Sequence, residues 1–195
     1  MKFMNTQIDT YEGGRFGAPI TGATRTGYYL KKLVNETVVL TPPNTVSKNH
    51  HYPTYRYAEV LLNYAEALNE WQGPDYTDAT CTLSARQALN QVRQAAGMPD
   101  VKGAGDQSSF RTAVRHERRV ELAFEDHRFW DIRRWKIGNV VEQIYGVHIR
   151  KNGSNFEYTR QLVQNRIWDD KMYLYPIPQN EIYVNPNLTQ NPGWE

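Results

Sequence analysis

The segment VRHERRVELAFEDHRFWDIRRWK, Val114 to Lys136, constrains the fold more than any other part of the chain. It sets six arginines, one lysine and five acids among Phe124, Phe129, Trp130 and Trp135. Phe129, Ile132 and Trp135 are spaced by threes, which places them on one helical face. On such a helix Arg118 can pair with Glu121, and Arg128 with Asp131, at i, i+3. Arg115 and Arg119 lack an acid four residues further on and must look to other elements or to water. Glu117, Glu121 and Glu125 make a row one turn apart whose mutual repulsion the arginines answer. Arginine suits rigid, forked, partly buried pairs. The segment therefore reads as a third long helix carrying a structural ion-pair network of Arg118, Arg119, Glu121, Glu125, Arg128 and Asp131.

Two other uses of so many charges fit less well. Nucleic-acid binding needs an uncompensated basic face, yet seven bases here meet five acids and the 195 residues carry a net charge of only +2. Glycoside hydrolysis needs a carboxyl kept protonated, whereas a guanidinium lowers the pKa of the carboxylate it clamps. His116 and His127 stand three turns apart, too far to share a metal, and the adjacent His50 and His51 diverge. HExxH, P-loop and GxGxxG motifs do not occur. Asp169-Asp170 reads as a solvated turn, and Ser84, Ser108, Ser109 and Cys81 have no paired base legible in sequence. No catalytic residue, metal or cofactor is expected.

A lone cysteine, Cys81, makes no internal disulfide and no cysteine-based zinc site. No apolar run approaches the ~20 residues of a membrane span. The opening MKFMNTQIDT lacks the apolar core of a signal peptide. The expectation is a chain that stays inside the cell, or one whose natural beginning lies before Met1. Its length fits a single domain, 1–195, with a helical core over about 53–137 and a hairpin and coil over 138–195.

Residues 5 to 50 are rich in glycine and proline and predict coil with short β-like runs at Tyr28–Val34 and Thr37–Leu40. From Pro53 onward, Tyr57, Val60, Leu61, Tyr64, Leu68 and Trp71 recur at helical spacing, with Thr54 as cap and Gly73-Pro74 as stop. SARQALNQVRQAAG predicts a second helix whose stripe is Ala88, Leu89, Val92 and Ala96. The two resemble one tetratricopeptide unit, which cannot cover its own faces. Asn152-Gly153 signals a hairpin turn between Val147–Ile149 and Phe156–Tyr158. Four prolines from Pro176 onward exclude a long helix there, leaving extended chain, a helical turn near Asn180–Tyr183, and anchors at Ile177, Leu188 and Trp194. The fold class is mainly α: a tetratricopeptide-like helix hairpin and a third long helical segment, with a small β-hairpin and extensive ordered coil.

Three stretches carry a more specific signal. RYAEVLLNYAEALNE, RHERRVELAFEDHRFWDIRRW and YLYPIPQNEIYVNPNLTQNPGW resemble, in order, signature segments of the SusD-like (RagB/SusD) family, and TGYYLKKL fits the run into the first. The resemblance implies the C-terminal portion of an outer-membrane lipoprotein of Bacteroidetes. Such proteins bind a glycan or peptide nutrient at the cell surface and cover a TonB-dependent, SusC-like transporter. It implies a binding protein and not an enzyme, held to the membrane only by a lipid anchor that this chain lacks. Where the family commonly has glycine between the glutamate and histidine of the central motif, this chain has Asp126, a residue that tolerates the left-handed conformation better than most. A helix break is expected to persist there.

Sugars are gripped by flat tyrosine or tryptophan rings with polar groups nearby. Aromatics claimed by no helical stripe are Tyr11 near Arg15, Tyr76 in the helix-helix loop, and Tyr158 beside Arg160. Trp135, Trp168 and Trp194 are assigned to packing. A helical protein-interaction scaffold that binds no glycan is the alternative reading, and glycoside hydrolysis a more remote one.

Overall fold

The computed structural model describes residues 24–28, 30–35, 37–38, 43–49 and 52–195. Tyr11, His50 and His51 lie outside them. The described residues form two compact units, one within 51–129 and one joining 130–195 to residues before 51. Among them are five α-helices and one antiparallel strand pair, so the protein is mainly helical with a small sheet.

In the first unit, helix α1 (Tyr57–Gln72) packs against α2 (Ala85–Ala95) and α3 (Gln107–Glu121). Its N-cap is Arg56, which gives no side-chain cap bond, and not the predicted Thr54. The guanidinium of Arg56 is engaged elsewhere, and Glu59 in the first turn faces the positive end of the helix. Gly73 ends the helix at φ 95° with its N–H on Asn69 O.

The buried arc of α1 is also displaced from the predicted one. Leu61, Leu62, Ala65, Leu68 and Asn69 are buried, while Tyr57, Val60 and Trp71 are exposed. At about 100° per residue the buried arc is turned by roughly a quarter turn from the predicted stripe. Ala65 sits near the middle of the arc that faces its neighbours, where a small side chain permits close approach. Glu59 is buried as well.

Helix α2 starts at Ser84, which forms a reciprocal capping box with Gln87, and buries Ala85, Ala88, Leu89 and Val92. The predicted Ala96 is instead the exposed C-cap residue. Asp106 caps α3 in the same manner with Ser109. Phe110 and Val114 of α3 complete a core with Leu62, Leu89 and Leu122.

The predicted third helix is not continuous. It ends at Glu121, and α4 begins at His127 and runs to Arg134. Phe124 and Asp126 adopt φ 63° and 62°, so the expected break at Asp126 is present. Glu125 N–H turns back to Leu122 O, and Arg56 Nη2 donates to Glu121 O at 3.1 Å. In an unbroken helix that carbonyl would receive the Glu125 N–H.

In the second unit, β1 (Gln143–Asn152) pairs antiparallel with β2 (Asn155–Asn165). The arms are longer than predicted, and the turn centres on Gly153-Ser154, one residue beyond the predicted pair, because Asn152 and Asn155 still face each other. Gly153 takes φ 60°, open to glycine at no steric cost. Gly138 opens a 3₁₀ turn (Gly138–Val141) beneath Trp168: a Cβ there would come within 1.9 Å of the indole.

Where described, neither predicted N-terminal β-run is a strand. Leu33 turns the chain at φ 69°, and the Asn35 side chain takes the Thr37 N–H at 3.0 Å. Asp169 caps a second 3₁₀ turn (Asp170–Tyr173), as a turn residue does. The proline-rich tail contains one short helix, α5 (Gln179–Val184). Gln190 accepts the Ile177 N–H at 2.7 Å and returns its amide to Ile177 O at 2.9 Å. Trp194 Nε1 reaches Lys171 O and Leu174 O. Leu188, the third predicted anchor, is exposed.

Candidate functional site

In the first unit, Arg56 draws together Glu121 and Glu125 of the charged segment. Its Nε and Nη2 bind the two oxygens of Glu125, each at 2.8 Å, and its Nη1 binds Glu121 Oε1 at 2.9 Å. The Glu125 side chain is only 5% exposed. Hydrogen bonding to Glu125 first, and to Glu121 next, raises the Arg56 pKa above its ordinary value, so this cation stays charged at any pH the fold tolerates. Beside it, His127 Nε2 stands 3.4 Å from Glu59 Oε2. The Tyr52 hydroxyl lies 3.3 Å from Asp126 Oδ2 and 3.5 Å from Phe124 O, over the turn that breaks the helix.

Several of the charged residues have partners that sequence spacing did not name. Arg118 is buried and donates to Asn63 Oδ1 at 2.7 Å. Glu117 is buried against Arg93. Asp131, in the second unit, is buried and accepts from Arg134 Nε at 2.8 Å. Arg128 is half-buried on α4. Arg119 is exposed and meets no ion-pair partner among the described residues. Arg56 is the residue that sequence reasoning missed. It lies 65 and 69 residues before its acids, a separation that no helical periodicity can report.

A carboxylate held bidentately by arginine is kept as an oriented anion, suited to fixing elements in place more than to giving up and regaining a proton. No group of three or more His, Cys, Asp and Glu among the described residues could hold a metal ion.

The aromatic candidates separate by their surroundings. Tyr76 packs partly buried against the core, donates its hydroxyl to Asp78 at 2.7 Å, and meets Trp71 edge-on at 5.5 Å. Tyr11 lies outside the described residues. Tyr158 is exposed on β2, one strand position from Thr159 and on the same face as Arg160. Of the tryptophans assigned to packing, Trp168 stacks obliquely on Tyr173 at 5.1 Å with Arg133 over its ring, and Trp135 lies under Arg134 at 4.5 Å.

Comparison with known proteins gives one answer. The profile of the SusD family matches residues 1–194. Two SusD-like proteins of Formosa agariphila, P2 and P25, are 33% and 34% identical over 74% and 84% of this chain, which covers 26% and 27% of theirs. A SusD-like protein from Bacteroides fragilis superimposes with a TM-score of 0.71 at 34% identity, over 88% of this chain and 32% of that one. A SusD homologue from Bacteroides thetaiotaomicron superimposes with a TM-score of 0.51 at 30% identity, over 77% of this chain and 30% of that one. The chain therefore spans about a quarter to a third of the length of these relatives, between 26% and 32%. On the profile, the identities and the shared fold together, the chain belongs to the SusD family.

Proposed function

We propose that the chain is the C-terminal portion of a cell-surface nutrient-binding protein that holds a glycan and acts with a TonB-dependent, SusC-like outer-membrane transporter. The observation that carries this reading is the family match over residues 1–194. The arginine-clamped carboxylates support a binding role without catalysis, since Glu121 and Glu125 are committed to Arg56. Outer-membrane attachment through a lipid belongs to the same proposal; no helix among the described residues is long and apolar enough to cross a membrane.

A test is migration of the chain through native gels loaded with a panel of soluble polysaccharides, with tryptophan fluorescence as a second readout. Retardation by at least one glycan supports the reading, and co-isolation with a barrel transporter from membranes supports the partnership. The exposed stripe of Tyr57, Val60 and Trp71 on α1 favours a second reading, a helical scaffold that docks protein. Silence across glycans together with a protein partner lost on Trp71→Ala would favour the scaffold.

A further inference from the structure

Where α1 gives way to the loop before α2, two aromatic rings form a corner that the core does not close. Trp71, on the last turn of α1, is 62% exposed. Its one ring contact among the described residues is Tyr76, met edge-on at 5.5 Å with 68° between the planes. With that much of the indole in water, a broad face is uncovered, and the Tyr76 ring stands beside it as a wall.

The loop that brings Tyr76 back to Trp71 is pinned at several points. Gly73 turns the chain out of the helix at φ 95°, a conformation open to glycine. Pro74 O accepts the Arg86 N–H at 2.9 Å, and the Asp75 carboxylate takes Arg86 Nε at 2.6 Å and Nη2 at 2.9 Å. Asp78 Oδ1 accepts the N–H groups of Thr80 and Cys81 at 2.8 and 2.6 Å, and its Oδ2 takes the Tyr76 hydroxyl at 2.7 Å. The bond from Cys81 first, then those from Tyr76 and Thr80, lower the pKa of Asp78. Among the described residues no cation pairs with it, so the corner keeps an unneutralised negative charge.

A ring held in place before a ligand arrives loses little freedom on binding. An open indole face is a surface against which the C–H face of a pyranose packs. The Tyr76 oxygen gives its proton to Asp78 and retains lone pairs to accept from a sugar hydroxyl. The charge of Asp78 repels a polyanion. We propose that the Trp71–Tyr76 corner is a subsite for a neutral polysaccharide: Trp71 stacks on a sugar ring, Tyr76 walls one side and accepts a hydrogen bond, and Asp78 positions Tyr76 and turns away uronate or sulfated chains. The inference rests on the nutrient-binding reading and gives it a site and a ligand class.

The experiment compares native gels containing hydroxyethylcellulose, galactomannan, laminarin or polygalacturonate, with Trp71→Ala, Trp71→Phe, Tyr76→Phe and Tyr57→Ala beside the unaltered chain and circular dichroism as a check of folding. Tyr57 is the control, 69% exposed on the same helix but about 20 Å from Trp71 along its axis. Retardation by at least one neutral glycan and none by polygalacturonate is expected. Trp71→Ala should raise the apparent Kd about tenfold or more, and Trp71→Phe by less, since a smaller ring remains. Tyr76→Phe should raise it a few-fold, as loss of one hydrogen bond does, while Tyr57→Ala leaves it unchanged. A change of tryptophan emission on binding is expected in the unaltered chain and lost in Trp71→Phe. Binding to polygalacturonate only would overturn the inference and leave the nutrient-binding reading standing. So would neutral-glycan binding insensitive to Trp71→Ala, or equally sensitive to Tyr57→Ala, or an emission change that persists in Trp71→Phe. Absence of binding to any glycan, in these gels and across the wider panel, would defeat both.

Discussion

Arg56 completes the end of a helix that begins 51 residues later in the chain, at Gln107: its Nη2 donates to Glu121 O at 3.1 Å, at the carbonyl where the helical ladder of α3 stops. The same guanidinium holds Glu125 by two hydrogen bonds. The break in the charged segment is thus stabilised by an arginine that sits outside it.

Removing that side chain should be costly. Arg56→Ala leaves Glu125 buried with its principal cation gone, and breaking such a pair costs about 3 kcal/mol. Arg56→Lys should recover only part, since lysine cannot present the fork. Arg119→Ala, on the exposed side of α3, should change stability by less than about 0.5 kcal/mol. Urea denaturation of the three variants checks the order, and equal effects would refute it.

Asp126 pays for its φ of 62° with conformational strain, and glycine carries no such penalty. Asp126→Gly should therefore keep stability within about 1 kcal/mol, the relief offsetting the lost contact with Tyr52. Asp126→Val should lower it by more than about 1 kcal/mol, because a β-branched residue fits poorly there. Thermal melts of the pair distinguish the outcomes.

Gly138 has no room for a side chain beneath Trp168. Gly138→Ala should destabilise the second unit by about 1–3 kcal/mol through overpacking. Its N–H bond to the Tyr173 hydroxyl, 3.0 Å long, should loosen with it. Near-ultraviolet circular dichroism, which reports ordered tryptophan and tyrosine, is the readout.

Acid should weaken the helical unit in a definite window. Hydrogen bonding to Arg111 lowers the pKa of Glu70, and hydrogen bonding to Arg86 lowers that of Asp75. Each binds its proton less readily folded than unfolded, so its contribution is complete above the ordinary carboxylate pKa of about 4 and is lost as pH falls through the lowered value. The melting temperature should decline below about pH 4, and Glu70→Gln should make that decline shallower. A decline of unchanged slope would exclude Glu70 as a contributor.

Helices α1 and α2 were legible because their signals are local: Ser84 at the start of α2 and Gly73 with Pro74 at the end of α1 act within a turn of the chain, whereas α3 starts at Gln107, ahead of the predicted segment. The break at Asp126 was legible from residue chemistry and family wording together. The buried arc of α1 was not, since Tyr57, Val60 and Trp71 are as apolar as the residues that go inside, and only the positions of α2 and α3 decide between them. The role of Arg56 was hidden for the same reason. In the hairpin, the Asn152-Gly153 signal located the turn to within one residue, and the i, i+2 relation of Tyr158 and Arg160 followed from any strand.

The carboxamide of Gln190 has an implication for the tail. By giving and taking one hydrogen bond at Ile177, it reproduces the two-point contact of a neighbouring peptide group. Prolines deny this stretch a continuous ladder, so side chains stand in for backbone, and Gln190 does so at two points beside the bonds of Asn191 and Trp194. A carboxylate in its place could accept but not donate, which makes Gln190→Glu a one-atom way to let the terminal loop slip.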